Sequence, residues 1–434
     1  MPVPLDPANP AGARIEMFVS RRRASVPTSR IGVLFVNPGG PGGPAYDLVR
    51  AAPAFLTPAV LERFDVIGVD PRGTARSAPL VCENTRPSRS PQRPYAEVLA
   101  ESCASTDGDR LRFMDTETAA GDLDAVRAAL GEEKISYIGM SYGTYLGAVY
   151  RALFPTRVRS MVLDSAVDPT RFGLNLLLDR WVYTELALDA FLDECQSGRL
   201  VPCPFNDGTD VRSKFVQLRE RSKTSVRRGL APTTLAFDQL VSDFVGYPRN
   251  GWPVLGRVLE ELATTGRANT NPTSADNLAP NDGDRERPLD TFSVATNIAI
   301  NCRDGLLPRD PESDRGLFEQ IPIVAPRFSG LQDDVASADT CVTWPSQNAQ
   351  LVPLGPVPDA PTLVIGNTFD LTTPYLWSQG LARTLNAPLL TRNGGGHVAI
   401  TKSACVRDAT ARFLIEKVVP DTTVMCSPSL RTTT

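Results

Sequence analysis

Ile135-Ser136-Tyr137-Ile138-Gly139-Met140-Ser141-Tyr142-Gly143 is the stretch whose reading decides the fold. A short apolar, β-branched run enters a G-x-S-x-G, and residues 142–153 (YGTYLGAVYRAL) continue at helical spacing. Strand, sharp turn and helix in immediate succession put the hydroxyl of Ser141 on a tight corner. The flanking glycines suit such a corner, because a Cβ on either would collide with the neighbouring strand or helix. Taken alone the pentapeptide is weak evidence: at average Gly and Ser usage about one chain in ten of this length carries it by chance. A serine that merely caps a helix is the alternative, and the strand–turn–helix context argues against it.

Working outward, residues 31–36 (IGVLFV), 64–69 (FDVIGV), 158–163 and 362–366 (TLVIG) are further short runs without alternation, bounded by Pro and Gly. Such runs suit strands buried on both faces of a parallel sheet. Helical patterns lie between them. Ala119, Leu123, Val126 and Leu130 recur at helical spacing, with residues 115–118 offering an N-cap and Gly131 a C-cap, and residues 404–418 form another helix. Strands alternating with helices predict a doubly wound, mostly parallel α/β sheet. Residues 168–360 break that rhythm. Residues 174–192 and 252–262 read as helices, and the polar stretch 267–290 as an extended surface loop. The expected organisation is an α/β core from 1–167 and 361–434, with a mainly helical cap, 168–360, inserted between its parts.

Two more residues complete a chemical set. Asp370 follows the 362–366 run, and His397, the one histidine of the chain, follows three glycines that can form a tight loop. The order Ser141, Asp370, His397 is that of the α/β-hydrolases, not of the chymotrypsin or subtilisin folds. Such a set is built for acyl transfer: serine attacks, histidine takes its proton, and aspartate orients the ring. Gly39-Gly40-Pro41-Gly42 follows the first core strand, and amides there, Gly40 foremost, could meet an oxyanion together with that of Tyr142. A phosphate loop is the competing reading of those glycines, but the Walker lysine and the G-x-G-x-x-G spacing are both missing.

Composition excludes other classes. The 434 residues are 42% hydrophobic and 22% charged, an ordinary globular mixture. A net charge of −4 gives no general attraction to nucleic acid or anionic membrane, and no apolar run approaches the roughly 20 residues of a membrane helix. A single histidine rules out H-E-x-x-H and multi-histidine metal centres. The eight cysteines contain no C-x-x-C; they are either four disulfides of an exported protein or eight buried thiols of a cytoplasmic one. The first residues show no charged n-region followed by an apolar stretch, so the signal peptide of an exported protein would lie outside this chain.

These residues resemble, over nearly the whole chain, the secreted tripeptidyl aminopeptidases of actinobacteria, in the prolyl-iminopeptidase group of α/β-hydrolases. Val3-Pro4-Leu5-Asp6 is similar to the start of the family's mature domain, and Pro38-Gly39-Gly40-Pro41-Gly42 to its oxyanion segment. Asp70-Pro71-Arg72-Gly73 resembles its D-x-R-G-x-G-x-S turn, and Gly139-Met140-Ser141-Tyr142-Gly143 its nucleophile elbow. Residues 195–204, Cys302-Arg303-Asp304 and 341–345 are similar to its cysteine landmarks; residues 370–374 (DLTTP), Gly396-His397, Cys405 and Cys426 resemble its C-terminal segment. Two departures stand out. Ala75 replaces the turn's second glycine, which changes packing, and Pro44-Ala45 stands where Ser-Gly is common, which bears on substrate preference.

The resemblance implies an extracellular serine exopeptidase that releases short peptides, tripeptides foremost, from free N-termini and needs no metal or organic cofactor. It also implies that cap carboxylates hold the substrate ammonium; Glu185, Asp189, Asp193 and Glu194 are available. Together with short loops it favours neighbour pairing of the cysteines: Cys82–Cys103, Cys195–Cys203, Cys302–Cys341 and Cys405–Cys426. The partner expected is a peptide or small-molecule substrate, with the chain taken as a monomer. An esterase, lactonase or amide hydrolase of a small metabolite is the first alternative, since the same triad serves all of these. A non-catalytic binding protein on the same fold is the second, and the intact set of three argues against it.

Overall fold

Runs of buried, unalternating residues form the centre of the molecule. The computed structural model describes residues 1–84, 95–199, 203–225, 234–247, 251–266, 292–329, 339–346 and 349–426; the polar stretch 267–290, expected as a surface loop, lies outside them. The strands are β1 (Pro2–Pro4), β2 (Arg14–Glu16), β3 (Val19–Arg22), β4 (Gly32–Asn37), β5 (Phe64–Val69), β6 (Ile135–Met140), β7 (Val158–Asp164), β8 (Thr362–Phe369) and β9 (Leu389–Gly395). β1 and β2 make a small separate pair, and the other seven form one sheet in the order β3-β5-β4-β6-β7-β8-β9. β1 and β2 are antiparallel; within the seven-stranded sheet only β3 runs antiparallel, against β5, and the other pairs are parallel. This is a doubly wound, mostly parallel sheet.

Every residue of β4, β5 and β6 is buried, which is why these strands read as continuous apolar runs. Their side chains part to opposite faces. Leu34, Val36, Val66, Ile138, Met140, Val162 and Ile365 enter one core, and Val33, Phe35, Ile67, Tyr137, Met161, Leu163 and Val364 the other. Sequence patterning missed β3, a four-residue edge strand with two exposed arginines. It also missed β9, whose Gly394 and Gly395 continue the strand; the expected glycine loop before His397 shrinks to Gly396, which has φ +86°.

The helices of the first core part are α1 (Tyr46–Phe55), α2 (Pro58–Arg63), α3 (Tyr95–Leu111), α4 (Thr116–Ala129) and α5 (Tyr142–Leu153). Asp115 caps α4 by accepting from the Thr118 amide. Then follow α6 (Leu174–Gln196), α7 (Val211–Ser225), α8 (Thr234–Val245), α9 (Gly251–Thr265), α10 (Val294–Arg303) and α11 (Pro311–Val324), all between β7 and β8. The chain closes with α12 (Tyr375–Leu385) and α13 (Ala404–Glu416), the latter stopped two residues short of the expected end by Lys417 in the left-handed region.

β7 and β8 are neighbours in the sheet, so among the described residues the chain between them adds helices and no strand. Its packing is split. Phe191, Phe205, Phe215, Phe237, Trp252, Leu255 and Leu259 form a core of their own. Ala295, Ala299, Ile300, Cys302, Cys341 and Trp344 instead join the core on one face of the sheet.

Arg72 shows what the Asp70 turn does. It is 1% exposed, forms a two-pronged pair with Asp122 (2.7 and 2.8 Å), and donates to the Pro4 and Leu5 carbonyls, tying the end of the first strand to α4. The disulfides are Cys82–Cys103, Cys195–Cys203, Cys302–Cys341 and Cys405–Cys426, and no cysteine is free. Four disulfides belong to an oxidising compartment. Among the described residues no helix is long and apolar enough to cross a membrane.

Candidate active site

At the C-terminal ends of the strands, β6 turns into α5 through Ser141, whose φ of +56° is a conformation that side-chain-bearing residues rarely adopt. The turn is held because nothing larger than glycine fits around it. A Cβ on Gly139 would lie 2.2 Å from the Gly143 carbonyl oxygen, and one on Gly143 2.7 Å from Asn37 Oδ1. The Ser141 amide donates to the Asp164 carbonyl, 3.0 Å.

Gly39 packs against the same corner: its Cβ would stand 2.9 Å from both Ser141 Cβ and the Tyr142 nitrogen. Its own amide donates to Asn37 Oδ1 (2.9 Å). The Gly40 and Tyr142 amides have no acceptor among the described residues, which leaves them for an incoming oxygen. Tyr142 is N1 of α5, where an amide lacks an intrahelical acceptor and the helix dipole favours negative charge.

Asp370 follows β8 and His397 follows β9, adjacent strands of the sheet, and the two side chains meet. His397 Nδ1 is 2.9 Å from Asp370 Oδ2 and 3.1 Å from Oδ1. Asp370 is wholly buried; its Oδ1 accepts from the Thr372 and Thr373 amides (3.0 Å each), and its Oδ2 from Thr373 Oγ1 (3.1 Å). Burial alone would raise this carboxyl, but His397 and the Thr373 amide outweigh it and hold it below its ordinary value. The third link is not made: no hydrogen bond joins the imidazole to Ser141 Oγ in this structure.

What sequence reasoning missed is the support of the histidine loop. Asp164, at the end of β7, accepts from the Ala399 and Ile400 amides (3.0 and 2.8 Å), and Ser165 Oγ accepts from the Val398 amide (2.9 Å). One residue thus holds Ser141 by its carbonyl and the loop after His397 by its carboxylate. Its position could have flagged it, since ligand-facing residues gather where parallel strands end.

Burial lifts the Asp164 carboxyl to about 6, against the Ile400 and Ala399 amides, and lifts Asp304 to about 7, against its hydrogen bonds from Thr116. Both keep their protons to a higher pH folded than unfolded. What these two groups contribute to stability is therefore greatest below the unfolded value and is lost as pH rises through the folded one, by up to about 1.4 kcal/mol per pH unit for each group. Asp304→Asn is expected to flatten the fall between pH 4 and 7, read from urea midpoints across that range. An unchanged slope would contradict the assignment.

A cavity of about 520 Å³ opens onto His397. α6 contributes Arg180, Trp181 and Thr184 to its wall, and α8 with the turn after it contributes Gln239, Asp243 and Tyr247. None of Glu185, Asp189, Asp193 and Glu194, the cap carboxylates the sequence makes available, lines it. Glu185 accepts from the Arg327 amide (2.6 Å) and guanidinium (2.5 Å). Asp189 pairs with Arg327 and Arg212, Asp193 with Arg212 and Glu194 with Arg199. Among the described residues the carboxylate on the cavity wall is Asp243, exposed and held by Gln239 Nε2 at 2.7 Å. No local pattern marked it, since α8 reads as an ordinary amphipathic helix.

The sheet, the serine turn and the partly exposed His397 on a buried Asp370 are the arrangement of a serine hydrolase of the α/β-hydrolase superfamily. Residues 32–240 match the alpha/beta hydrolase fold family, and residues 329–426 match the family described as TAP-like protein. The chain is 30% identical to serine protease Hip1 of Mycobacterium tuberculosis H37Rv, over 98% of this chain and 86% of that protein. It is 32% identical to carboxylesterase B of the same organism (98% and 85%) and 28% identical to the tripeptidyl aminopeptidase of Streptomyces lividans (98% and 82%). The chain belongs to this family of α/β-hydrolases with a TAP-like C-terminal segment.

Proposed function

We propose that the chain is an extracellular serine exopeptidase that releases short peptides, tripeptides foremost, from free N-termini through an acyl-enzyme. Ser141 attacks the scissile carbonyl while His397 Nε2 takes its proton, a contact that tightens once substrate is bound. Asp370 keeps the Nδ1–H tautomer and stabilises the imidazolium. The Gly40 and Tyr142 amides receive the oxyanion, and one such donor contributes roughly 10²–10³ in rate. The imidazolium then protonates the leaving amine, and water, activated by the same histidine, frees the acyl peptide. The relative named tripeptidyl aminopeptidase and the four disulfides support this reading of substrate and compartment. With residues 168–360 taken as a cap, its described helices α6 and α8 wall the site.

The observation that carries the exopeptidase reading is Asp243 on the wall of the cavity that ends at His397. A carboxylate there can take the ammonium of a short N-terminal segment whose carbonyl lies at the serine. A buried carboxylate left unpaired would discriminate by several hundred-fold. Asp243 is exposed, so a charge-assisted hydrogen bond of about 1.5–3 kcal/mol, roughly 10- to 100-fold in kcat/KM, is expected instead. The test compares chromogenic tripeptides with free and acetylated amines. Equal rates on both, or brisk turnover of activated esters with no peptide cleavage, would favour the esterase alternative, which the relative named carboxylesterase B keeps in view.

A further inference from the structure

Both amides assigned to the oxyanion lie on turns of the sheet core, and both turns are held by one helix from the inserted segment. At the start of α10 the Ser293 amide donates to the Gly42 carbonyl (3.0 Å), and the Ser293 carbonyl stands 2.4 Å from where a Gly42 Cβ would be. One turn on, Asn297 Nδ2 donates to the Pro41 carbonyl (2.8 Å) and its Oδ1 accepts from Asn301 Nδ2 (3.0 Å). Thr296 Oγ1 donates to the Gly73 carbonyl (2.6 Å), fixing the helix to the neighbouring turn.

At the other end of α10, Asp304 is 3% exposed and reaches the serine turn through one intermediary. Its carboxylate accepts from the Thr116 amide (3.2 Å to Oδ2) and from Thr116 Oγ1. Thr116 Oγ1 lies 2.5 Å from the Tyr142 hydroxyl. A threonine hydroxyl has one proton, so once Asp304 is ionised and takes that proton's hydrogen bond, Thr116 Oγ1 accepts from tyrosine. The three residues form a one-way chain, Tyr142 to Thr116 to Asp304, with Thr116 1% and Tyr142 4% exposed. Cys302, two residues before Asp304, is fixed by its disulfide to Cys341.

We propose that α10, with Ser293 and Asp304 at its ends, is the positioning element of the oxyanion hole: Asn297 fixes the Gly40 turn, and the Asp304–Thr116–Tyr142 chain fixes the Tyr142 amide. None of these side chains touches the reacting atoms; they set where the two donors point. The proposal rests on the assignment of Ser141, Gly40 and Tyr142 made above. It makes the inserted segment part of the rate machinery as well as a wall for substrate.

The expected signature is a loss confined to the transition state. Thr116→Val keeps the shape and removes the hydroxyl, and Asn297→Ala removes the tie to Pro41. Each is expected to lower kcat roughly 10- to 100-fold with KM within about twofold, since small misplacement of preorganised donors costs rate rather than binding. Affinity for a peptide boronate, which forms a tetrahedral adduct on serine, should fall in parallel while affinity for the product tripeptide holds. Thr116→Ser, which restores the hydroxyl, should recover most of the rate and guards against a merely structural defect. Wild-type kcat in both Thr116→Val and Asn297→Ala would overturn the brace, as would equal losses for boronate and product. Failure of a fluorophosphonate to label Ser141 in the unmodified protein would instead overturn the assignment beneath it.

Discussion

Ser141→Ala is expected to lower kcat about 10⁴–10⁶-fold while leaving product affinity nearly intact. The residual rate comes from the oxyanion amides and from substrate positioning, which the alanine variant keeps. The corner itself should survive, since its geometry is imposed by Gly39, Gly139 and Gly143 and by the hydrogen bond from the Ser141 amide to the Asp164 carbonyl, none of which needs the hydroxyl. Intact-mass analysis after fluorophosphonate treatment gives an independent readout. One adduct mapped to Ser141, and none in the alanine variant, is the expected pattern. An adduct on a different serine, with turnover surviving in Ser141→Ala, would remove the central assignment.

Asp370→Asn should cost about 10³–10⁴-fold in kcat, and the local geometry says why. The Thr372 and Thr373 amides both donate to Oδ1, so an asparagine must keep its carbonyl oxygen there. Its NH₂ then occupies the place of Oδ2, facing His397 Nδ1. A donor at that position selects the tautomer with the proton on Nε2, the nitrogen that must accept from serine. The loop stays in place and the base is disabled. Unfolding should shift little, because both turn hydrogen bonds remain, so a large loss of kcat beside a near-native urea midpoint separates this effect from unfolding. A loss of less than tenfold would mean that Asp370 does not set the tautomer.

Much of this site was legible in the sequence because its chemistry is local in the chain. Ser141 sits in a pentapeptide whose glycines are demanded by contacts within a few residues, and Asp370 and His397 each end a core strand. The core strands were legible for the same reason: buried on both faces, they carry uninterrupted apolar runs. β3 was not, since a short edge strand with Arg21 and Arg22 in solvent has no such run, and neither was β9, where Arg392, Asn393, Gly394 and Gly395 interrupt it. Which carboxylate faces the cavity was not legible, for a different reason. Glu185 and Asp189 look available on α6, but their partner Arg327 lies far along the chain, and ion pairing across such separations leaves no mark in spacing. The role of α10 was hidden likewise. Asn297 and Asp304 meet the serine turn and the glycine turn only after the sheet has brought those turns together.

The split packing of the inserted segment has a consequence for how such an enzyme can diverge. Gln239, Asp243 and Tyr247, on the cavity wall, belong to or adjoin a lobe built on its own core around Phe191, Phe215, Phe237 and Trp252. α10 is anchored in the core of the sheet. The two cores meet at Trp181 and Val324, so substitutions that reshape the first lobe away from that border are expected to relax within it and to transmit little to the helix that aims the amides. Substrate preference and bond-breaking power become separately heritable traits, and drift in α8 can explore new substrates without first dismantling the machinery that cleaves them.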